Sequence, residues 1–396
     1  MTRNIRLLNP ERYINVSGIG EKKLDNAVNQ AIDKLAHRID EYNYSTFGNT
    51  LNGYKYTVGE NNHWVSGLHT GVYLLAYDLT RDKKFLEAAQ MQMPSYKKRM
   101  DEKIDLGTHD VGFVFSPSCV AMYKLTGDKQ ARDIALKAAK HLYDVSYTEK
   151  GGFILRGGGS MPAEWACRTM MDTLLNIPLF YWMHSETGEQ KYLDAANSQI
   201  NITDKYLIRD DASSFHHYQF ELDTLAPVRG LTLQGASDDS CWSRGHSWAV
   251  LGLPLAYSYT KDETLLHLHR DVTYYMLNHL PTGNIPYWDY CFDDGSDEPL
   301  DSSAAVIAVC GMLEALKYLD PSSEMASVYR GASALMLEAV IDKCTGKRDF
   351  EYDGLITHVT PHKKSGINIE TCAGYGDYFY LEALIRCKNP QWQCHW

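Results

Sequence analysis

Apolar residues recur at helical spacing along almost the whole chain, and two kinds of segment alternate. In segment 24–42 an apolar residue comes every four positions with charged residues between, which predicts an amphipathic helix with a charged outer face. Segment 61–80 is apolar nearly all round, which predicts a helix buried on most sides, and Asn61 or Asn62 is expected to cap it. The two segments together predict one outer and one inner helix.

The same alternation continues along the sequence and gives six pairs. The further amphipathic segments are 81–100, 128–144, 189–207, 262–280 and 323–341, and the further apolar segments are 112–128, 170–188, 238–260, 301–319 and 376–387. The joints LTRDKKF, LTGDKQA, ETGEQKY and YTKDETL each place a Thr before a short turn, and such short links imply antiparallel neighbours.

Repeated helical pairs of this kind predict an all-α protein, an (α/α)6 barrel or six-hairpin toroid. One catalytic domain is expected to span residues 1–396, with a short N-terminal extension over about residues 1–20. An open solenoid is the alternative, but links of unequal length favour closure into a barrel.

The links that lead from outer to inner helices are long. They cover residues 43–61, 146–162, 207–240, 281–301 and 344–375. Long loops without regular structure are usually functional, and all five lead into N-terminal ends of inner helices, so one face of the barrel is the candidate site. Ser116 and Pro117 are expected as the N-cap and first turn of the second inner helix, and Pro178 and Pro254 are expected to kink theirs.

Charge and cysteine content exclude several classes of protein. A net charge of −11 opposes long-range attraction to nucleic acid or an anionic membrane. The N-terminus lacks the apolar core of a secretion signal, and no segment is long and apolar enough to cross a bilayer. The nine Cys form no C-x-x-C pair and HExxH spacing is absent, so we expect reduced thiols in the cytoplasm and neither a disulfide framework nor a zinc site. Nothing in the sequence indicates a particular oligomeric state.

Aromatic residues make up 12% of the chain, with 27 Tyr and 8 Trp, which is typical of proteins that bind ring-shaped ligands such as sugars. Helix N-termini favour anions, because their amides point outward with partial positive charge. The candidate residues at the inner helix starts are Trp64, His109, Asp110, Phe113, Arg168, Asp172, Trp242, Arg244, Trp248, Asp301, Ser302, Ser303, Asp377 and Tyr378.

Asp172 lies inside an apolar helical run, one turn beyond Arg168, where a carboxylate is poorly solvated. It is either a structural ion pair with Arg168 or a proton-transfer residue. Asp110, in THDVGF, is either a carboxylate that forms a turn or the partner of Asp172 in a cleft. If the two converge, they cannot both ionise easily, and one pKa rises toward neutrality, which is what a general acid needs.

Arg244 and Trp248 are four residues apart and share a helix face, so they could hold a sugar carboxylate or simply pack together. His216 and His217 are adjacent in a long link and point in different directions, which argues against a shared metal. For a loop histidine, hydrogen bonding at the surface is the alternative to a role in binding.

Several segments together resemble the unsaturated glucuronyl hydrolases, glycoside hydrolase family 88. They are NNHWVSG, THDVGFVFS, MMDTLLNIPL, DDASSFHHYQF, VRGLTLQGASDDSCWSRGHSWAVLG, LDSSAAVIAVCGMLE and YGDYFYLEAL, and the similarity runs from about Trp64 to Arg386. The resemblance implies a cytoplasmic six-hairpin enzyme without metal or cofactor. Its substrate is an unsaturated uronic-acid oligosaccharide, and it removes the non-reducing 4,5-unsaturated glucuronic acid that lyases leave on glycosaminoglycan fragments.

The resemblance also assigns roles to residues. Asp172 matches the family's general acid and base, and Asp110 matches its partner carboxylate. Positions that match substrate contacts are Trp64, His109, Phe113, His216, Gln234, Trp242, Arg244 and Trp248, with Gly230 and Thr232 in the same binding loop. In this chemistry Asp172 protonates C4 of the enol ether, water adds at C5, and the resulting hemiketal opens and releases the remaining sugar.

The last long link departs from the family's pattern. Pro361 and His362 stand where the family often has an aromatic residue, whereas Lys363, Lys364 and Ser365 resemble a cluster that holds a sulfate in some members. We therefore expect tolerance of sulfated disaccharides, with a solvated loop as the alternative.

Three other functions remain compatible with the residues. The first is an unsaturated rhamnogalacturonyl hydrolase with the same mechanism, and the second is a non-catalytic sugar-binding toroid. A sugar epimerase is weaker, because such enzymes usually rely on a pair of histidines rather than an acidic pair.

Overall fold

The computed structural model describes residues 3–52, 54–157, 167–346, 352–366 and 369–396. The chain divides into two compact units. Unit 1 comprises Met1–Lys34, Ile208–His216 and Thr232–Gln393, and unit 2 comprises Leu35–Leu207, His217–Leu231 and Cys394–Trp396. The expectation of one catalytic domain stays a prediction.

Helices occupy each segment for which the hydrophobic pattern predicted one. The first is α1 (Glu21–Tyr42), whose residues belong partly to each unit. Unit 2 contains α2 (Ser66–Thr80), α3 (Lys83–Asp101), α4 (Val111–Phe115), α5 (Ala121–Thr126), α6 (Lys129–His141), α7 (Pro178–Thr187) and α8 (Gln190–Ile202). Unit 1 contains α9 (Ser243–Thr260), α10 (Glu263–Asn278), α11 (Ser302–Ala315), α12 (Glu324–Cys344) and α13 (Gly374–Lys388). Helices α2, α9, α11 and α13 are buried over most of their length, as the all-round apolar pattern predicted.

The repeated joints have a common hydrogen-bond pattern. In each, the Thr hydroxyl accepts the amide of the acidic residue two positions on, at 3.1 to 3.3 Å; the pairs are Thr80 with Asp82, Thr126 with Asp128, Thr187 with Glu189, and Thr260 with Asp262. The three Asp residues then cap the next helix through their side chains. The residue between Thr and acid has positive φ in all four joints, which closes the turn between helices.

Several predicted helix ends are wrong in detail. The second inner helix begins at Val111, and Ser116 and Pro117 lie within it, in a π-helical turn over Ser116–Val120. That turn accommodates a proline, which has no amide to donate. Pro178 does not kink a continuous helix, because it is the first residue of α7, whereas Pro254 lies inside α9 as predicted.

The cap predicted for the first inner helix is also wrong. Helix α2 starts at Ser66, beyond Asn61 and Asn62. Asn61 instead donates to Ser95 at 2.9 Å and accepts from Arg99 at 2.8 Å. Its side chain therefore joins the link to α3 and does not cap α2.

The long links contain short strands, contrary to the expectation of irregular loops. Strands β1 (Phe47–Asn52) and β2 (Lys55–Val58) form one hairpin, and β3 (Tyr147–Thr148) and β4 (Phe153–Ile154) another. A three-stranded antiparallel sheet has the order β5 (Arg168–Met170), β6 (His217–Phe220) and β7 (Pro227–Leu231). Residues 158–162 of the second link lie outside the described residues.

All nine cysteines are free thiols, most of them buried. Within the described ranges, no helix combines the length and apolarity needed to cross a membrane.

Candidate active site

Asp110 occupies the N-cap position of α4 and is held beside His109. One carboxylate oxygen lies 3.2 Å from His109 Nε2, and the other accepts from the Thr108 hydroxyl at 3.4 Å. His109 Nδ1 lies 3.2 Å from the carbonyl oxygen of Arg156. The Thr108 hydroxyl lies 3.3 Å from the same nitrogen, so the imidazole is held between Asp110 on one side and Thr108 and Arg156 on the other.

Asp172 lies in a 3-10 turn over Met171–Leu175 and not inside an α-helix, contrary to the prediction. Arg168 is on strand β5, where it pairs with Gln219, so it does not share a helix with Asp172. The strand extends the backbone up to Met170, and the turn follows directly. Asp172 is half-buried between buried neighbours, and its Oδ2 atom is buried.

The charge of Asp172 acts on Asp110, and their role as a catalytic pair stays a prediction. Burial raises the pKa of Asp110, and the negative charge of Asp172 raises it further, whereas His109 and Arg156 lower it. Burial lowers the pKa of the Arg156 guanidinium, and both carboxylates oppose that shift. The two acids and one cation therefore share an electrostatic environment in unit 2.

Three aromatic residues of unit 2 form a cluster that includes Phe113 of α4. The Trp64 ring stands edge-on to that of Phe113, with centroids 5.3 Å apart, and Phe113 is edge-on to Trp396 at 6.2 Å. Phe113 is on α4, one turn from Asp110, so the aromatic cluster is close to the acid along the chain. Gly230, predicted as part of a binding loop, lies on β7 opposite Tyr218.

Arg244, at the start of α9 in unit 1, lies between two aromatic rings. Its guanidinium carbon is 4.5 Å from the Trp242 ring centroid and 4.9 Å from that of Tyr375. Nη1 donates to Asp301 at 2.5 Å and to the Thr360 carbonyl at 3.0 Å, and Nη2 donates to the Pro361 carbonyl at 2.6 Å. The group is thus fixed in orientation by three acceptors and two rings.

The other candidates of unit 1 differ in their burial and their partners. His216 is 2% exposed and its ring lies 4.5 Å from Trp242, so the alternative of a surface histidine is wrong. Trp248 is almost fully buried, with its ring 5.7 Å from Phe379, and its pairing with Arg244 stays a prediction. Thr232 is buried and donates to the Ser240 carbonyl at 3.1 Å, whereas Gln234 is half-buried.

The segment proposed to hold a sulfate forms one 3-10 turn, Lys363–Ser365. The His362 side chain accepts the Ser365 amide at 3.1 Å, and the Ser365 hydroxyl donates to the His362 carbonyl at 2.8 Å. Lys363 is half-buried and pairs with Glu298 at 3.3 Å, whereas Lys364 is exposed. Of the three predicted sulfate contacts, Lys364 and Ser365 are exposed, and Lys363 is already paired with Glu298.

Comparison with known proteins identifies the family. The sequence model of Glycosyl Hydrolase Family 88 matches residues 33–378, which is most of the chain. The chain belongs to glycosyl hydrolase family 88. The family resemblance noted in the sequence is therefore confirmed.

Individual members of family 88 are similar over nearly their full length. The chain is 38% identical over 396 residues to the unsaturated chondroitin disaccharide hydrolase of Streptococcus pneumoniae, covering 99% of this chain and 98% of that protein. A solved unsaturated glucuronyl hydrolase from Streptococcus agalactiae matches with a TM-score of 0.94 at 35% identity, covering 99% and 98% of the two chains. That of Bacillus sp. GL1 matches with a TM-score of 0.89 at 30% identity, covering 92% and 97%. This likeness confirms the predicted fold class, an α/α barrel.

Sequence reasoning missed several residues that surround the candidate site. Asp301 was noted as a helix start, but its contact with Arg244 was not foreseen, and the role of Tyr375 beside the guanidinium was missed. The interaction of Arg156 with the two carboxylates was also missed. Tyr375 could have been found from the sequence, because it is the first residue of YGDYFYLEAL, one of the segments that carry the family resemblance.

Proposed function

We propose that this family 88 protein is an unsaturated glucuronyl hydrolase that removes the non-reducing 4,5-unsaturated glucuronic acid from lyase-generated glycosaminoglycan oligosaccharides. The observation that carries the proposal is the electrostatic coupling of Asp110 and Asp172 in a chain that matches the family over residues 33–378. A Streptococcus agalactiae relative has been solved as a mutant complexed with dGlcA-GalNAc6S, an unsaturated uronic acid on a sulfated amino sugar. The relatives with the highest identity named above carry the same activity in their names.

The reaction begins at the double bond. The C4=C5 bond of the unsaturated uronate is an enol ether, so a proton added at C4 leaves an oxocarbenium-like C5 that the ring oxygen stabilises. In the proposal Asp172 donates that proton, and its carboxylate then takes one from the water that adds at C5. The C5 hemiketal opens to a ketone, and the hemiacetal left at C1 collapses to an aldehyde and the free aglycone sugar.

Asp110 has a supporting role in the proposal. The charge of Asp172 raises the pKa of Asp110. In the proposal the same repulsion between like charges opposes ionisation of Asp172, which as general acid needs its proton. Asp110 contacts His109, and in the proposal the Asp110 carboxylate also accepts a hydrogen bond from a sugar hydroxyl. Unlike most glycosidases, which protonate the leaving oxygen, this site would act on the double bond.

Arg244 is the proposed partner of the uronate carboxylate. A planar guanidinium held between two rings is pre-organised, so little conformational entropy is lost when it binds an anion. Asp301 neutralises part of its charge and fixes its orientation.

The deciding experiment follows the loss of double-bond absorbance with unsaturated chondroitin disaccharides. We expect turnover by the wild type and loss of at least about 10²-fold to 10⁴-fold in kcat for Asp172→Asn, with binding retained. Equal activity of the two proteins would exclude Asp172 as the acid. Binding without turnover by the wild type would favour the non-catalytic sugar-binding toroid.

Products of pectin lyase and chondroitin lyase separate the two hydrolase specificities. The proposal predicts preference for the chondroitin product. Preference for the pectin product, which carries galacturonate, would indicate an unsaturated rhamnogalacturonyl hydrolase.

Tolerance of sulfate is a finer part of the proposal. Exposed Lys364 is the proposed contact, with Ser365 beside it, and Lys363 is already paired with Glu298. Lys364→Ala should lower the ratio of kcat/KM for 6-sulfated over unsulfated disaccharide by about 5-fold, as expected for loss of one partly solvated ionic contact. Lys363→Ala is the matched control and should change the ratio less. An unchanged ratio in both variants would exclude this turn from sulfate binding.

We also propose a cytoplasmic location for the reaction. Nine free thiols support a reducing compartment, because cysteines persist as thiols there. Fractionation of the native cells with an antibody to this protein tests the location.

A further inference from the structure

One buried side chain joins the turn that carries Asp172 to the helix start that carries Asp110. Asn176 is fully buried; its Nδ2 donates to the backbone carbonyl of Asp172 at 3.0 Å, and its Oδ1 accepts the Phe113 amide at 2.9 Å. Phe113 is the third residue of α4, so its amide is one of those that have no acceptor within their own helix. Both hydrogen bonds lie within unit 2.

Asn176 supplies the acceptor that an N-cap side chain normally supplies. Asp and Asn at the N-cap usually accept the amide of the second or third helical residue. Within the part of the chain that the structure describes, the Asp110 side chain accepts no amide of its own helix, although it stands at the N-cap. Because Asn176 satisfies Phe113, the Asp110 carboxylate can lie against His109 and Thr108 instead.

The two segments are in direct backbone contact at this point. A Cβ placed on Gly112 would lie 2.3 Å from the Cα and 2.5 Å from the carbonyl oxygen of Asn176. Only a glycine permits this approach, so the short Asn176 side chain spans the gap with little slack.

We propose that Asn176 is a positioning residue, which fixes the backbone of Asp172 against α4 and leaves the Asp110 carboxylate available to the substrate. The inference rests on the proposed function, because it requires that these two carboxylates act on the sugar. Catalytic groups need to be held to within a fraction of an ångström, and a displacement of about 1 Å can reduce turnover about 100-fold.

Two variants test the two hydrogen bonds. Asn176→Leu has similar size and makes neither bond, whereas Asn176→Asp keeps an acceptor for Phe113 and loses the donor to Asp172. We expect kcat to fall about 100-fold in Asn176→Leu with KM changed by less than about 3-fold. In Asn176→Asp we expect a drop of about 10-fold or more, with the alkaline limb of the pH profile of kcat moved to higher pH, because a third carboxylate opposes loss of the catalytic proton.

Gln92→Leu is the matched control for buried amide loss. Gln92 is buried in the same unit, accepts the Thr70 hydroxyl at 2.6 Å and donates to the Ser45 carbonyl at 3.1 Å. It should lower the melting temperature as Asn176→Leu does, but leave kcat within about 3-fold of the wild type at a temperature where both are folded. Equal kcat losses in the two Leu variants would reduce Asn176 to a structural residue and overturn the proposal.

The outcomes separate this inference from the proposed function. If the wild type turns over no unsaturated disaccharide, both fall together. If the wild type is active, Asp172→Asn is inactive and Asn176→Leu retains normal kcat, only the positioning role is wrong. If Asn176→Leu does not fold, Asn176→Asp decides, and a wild-type kcat and pH profile in that variant overturn the proposal.

Discussion

The Asp301 carboxylate uses its two oxygens for different purposes. One accepts from Arg244 Nη1 at 2.5 Å, and the other caps α11 by accepting the Ser303 amide at 3.1 Å. Asp301 and Arg244 are both almost fully buried. Removal of one partner from a buried ion pair leaves an uncompensated charge, which is strongly destabilising.

Asp301→Asn and Asp301→Ala should separate these purposes. Asn keeps the cap but loses the charge, so we expect a loss of about 3 kcal/mol in the free energy of unfolding, and Ala should lose about 1 kcal/mol more. Arg244 also holds the carbonyls of Thr360 and Pro361, so KM should rise more than kcat falls in both variants. Denaturant unfolding and steady-state kinetics measure the two effects, and a wild-type unfolding midpoint in Asp301→Asn would contradict the first.

Gly112→Ala tests the close approach of α4 to Asn176. The added methyl would meet backbone atoms at 2.3 to 2.5 Å, which forces the two segments apart. We expect a loss of about 1–3 kcal/mol in stability, the usual range for overpacking, and a fall in kcat. Gly20→Ala is the control, because nothing lies within 4 Å of a Cβ at that position. Equal stability of the two variants would mean that the contact is easily relaxed.

The sequence predicted the helical pairs well, because helices buried all round and helices with one apolar face differ in composition. The Thr-and-acid joints were also readable, since the hydroxyl and carboxylate act on amides two residues away, as at Thr80 and Asp82. Local chemistry of this kind depends on neighbours along the chain, which the sequence contains directly.

The surroundings of Asp172 were not predictable in the same way. A 3-10 turn and a buried helix are both apolar, and β5 forms only because residues His217–Phe220, far along the chain, pair with it. Asn176 looked like an ordinary polar residue in an apolar run, since its partner Phe113 belongs to another helix. Contacts between distant segments decided these details, and hydrophobic periodicity does not encode them.

Glu314 is the centre of a buried ionic cluster in unit 1. Its carboxylate accepts from Lys317 at 2.7 Å, from the Tyr318 hydroxyl at 2.8 Å and from Arg386. Burial alone would raise the pKa of Glu314, but Arg386 and Lys317 outweigh that effect and the pKa is lowered.

Glu314→Gln should therefore destabilise the protein by about 3 kcal/mol near neutral pH. Because the pKa of Glu314 is lowered in the folded state, its ionisation stabilises the fold fully above the unfolded pKa of 4.5, and this stabilisation is lost as the pH falls through the folded pKa. The difference in the free energy of unfolding between wild type and variant should therefore shrink in acid. Unfolding measured from pH 7 down to pH 3 tests this. Asp101→Asn, which breaks the exposed pair with Lys97, is the control and should be indistinguishable from wild type. A pH-independent difference would exclude ionisation of Glu314 as the cause.

Asp110→Asn should lower kcat and raise the melting temperature at neutral pH. Burial and the charge of Asp172 raise the pKa of Asp110, so ionisation of Asp110 lowers the free energy of unfolding. This loss of stability is absent below the unfolded pKa of 3.8, grows as the pH rises from there to the folded pKa, and is complete above the folded pKa. The variant should melt at a higher temperature than the wild type at pH 7, but not below about pH 3.8, and its kcat should fall about 10²-fold or more. Since like charges oppose ionisation, the alkaline limb of its residual kcat should move to lower pH. Glu102→Gln, at an exposed acid of the same unit, is the control and should leave kcat unchanged. A lower melting temperature for Asp110→Asn than for the wild type at pH 7 would contradict the prediction.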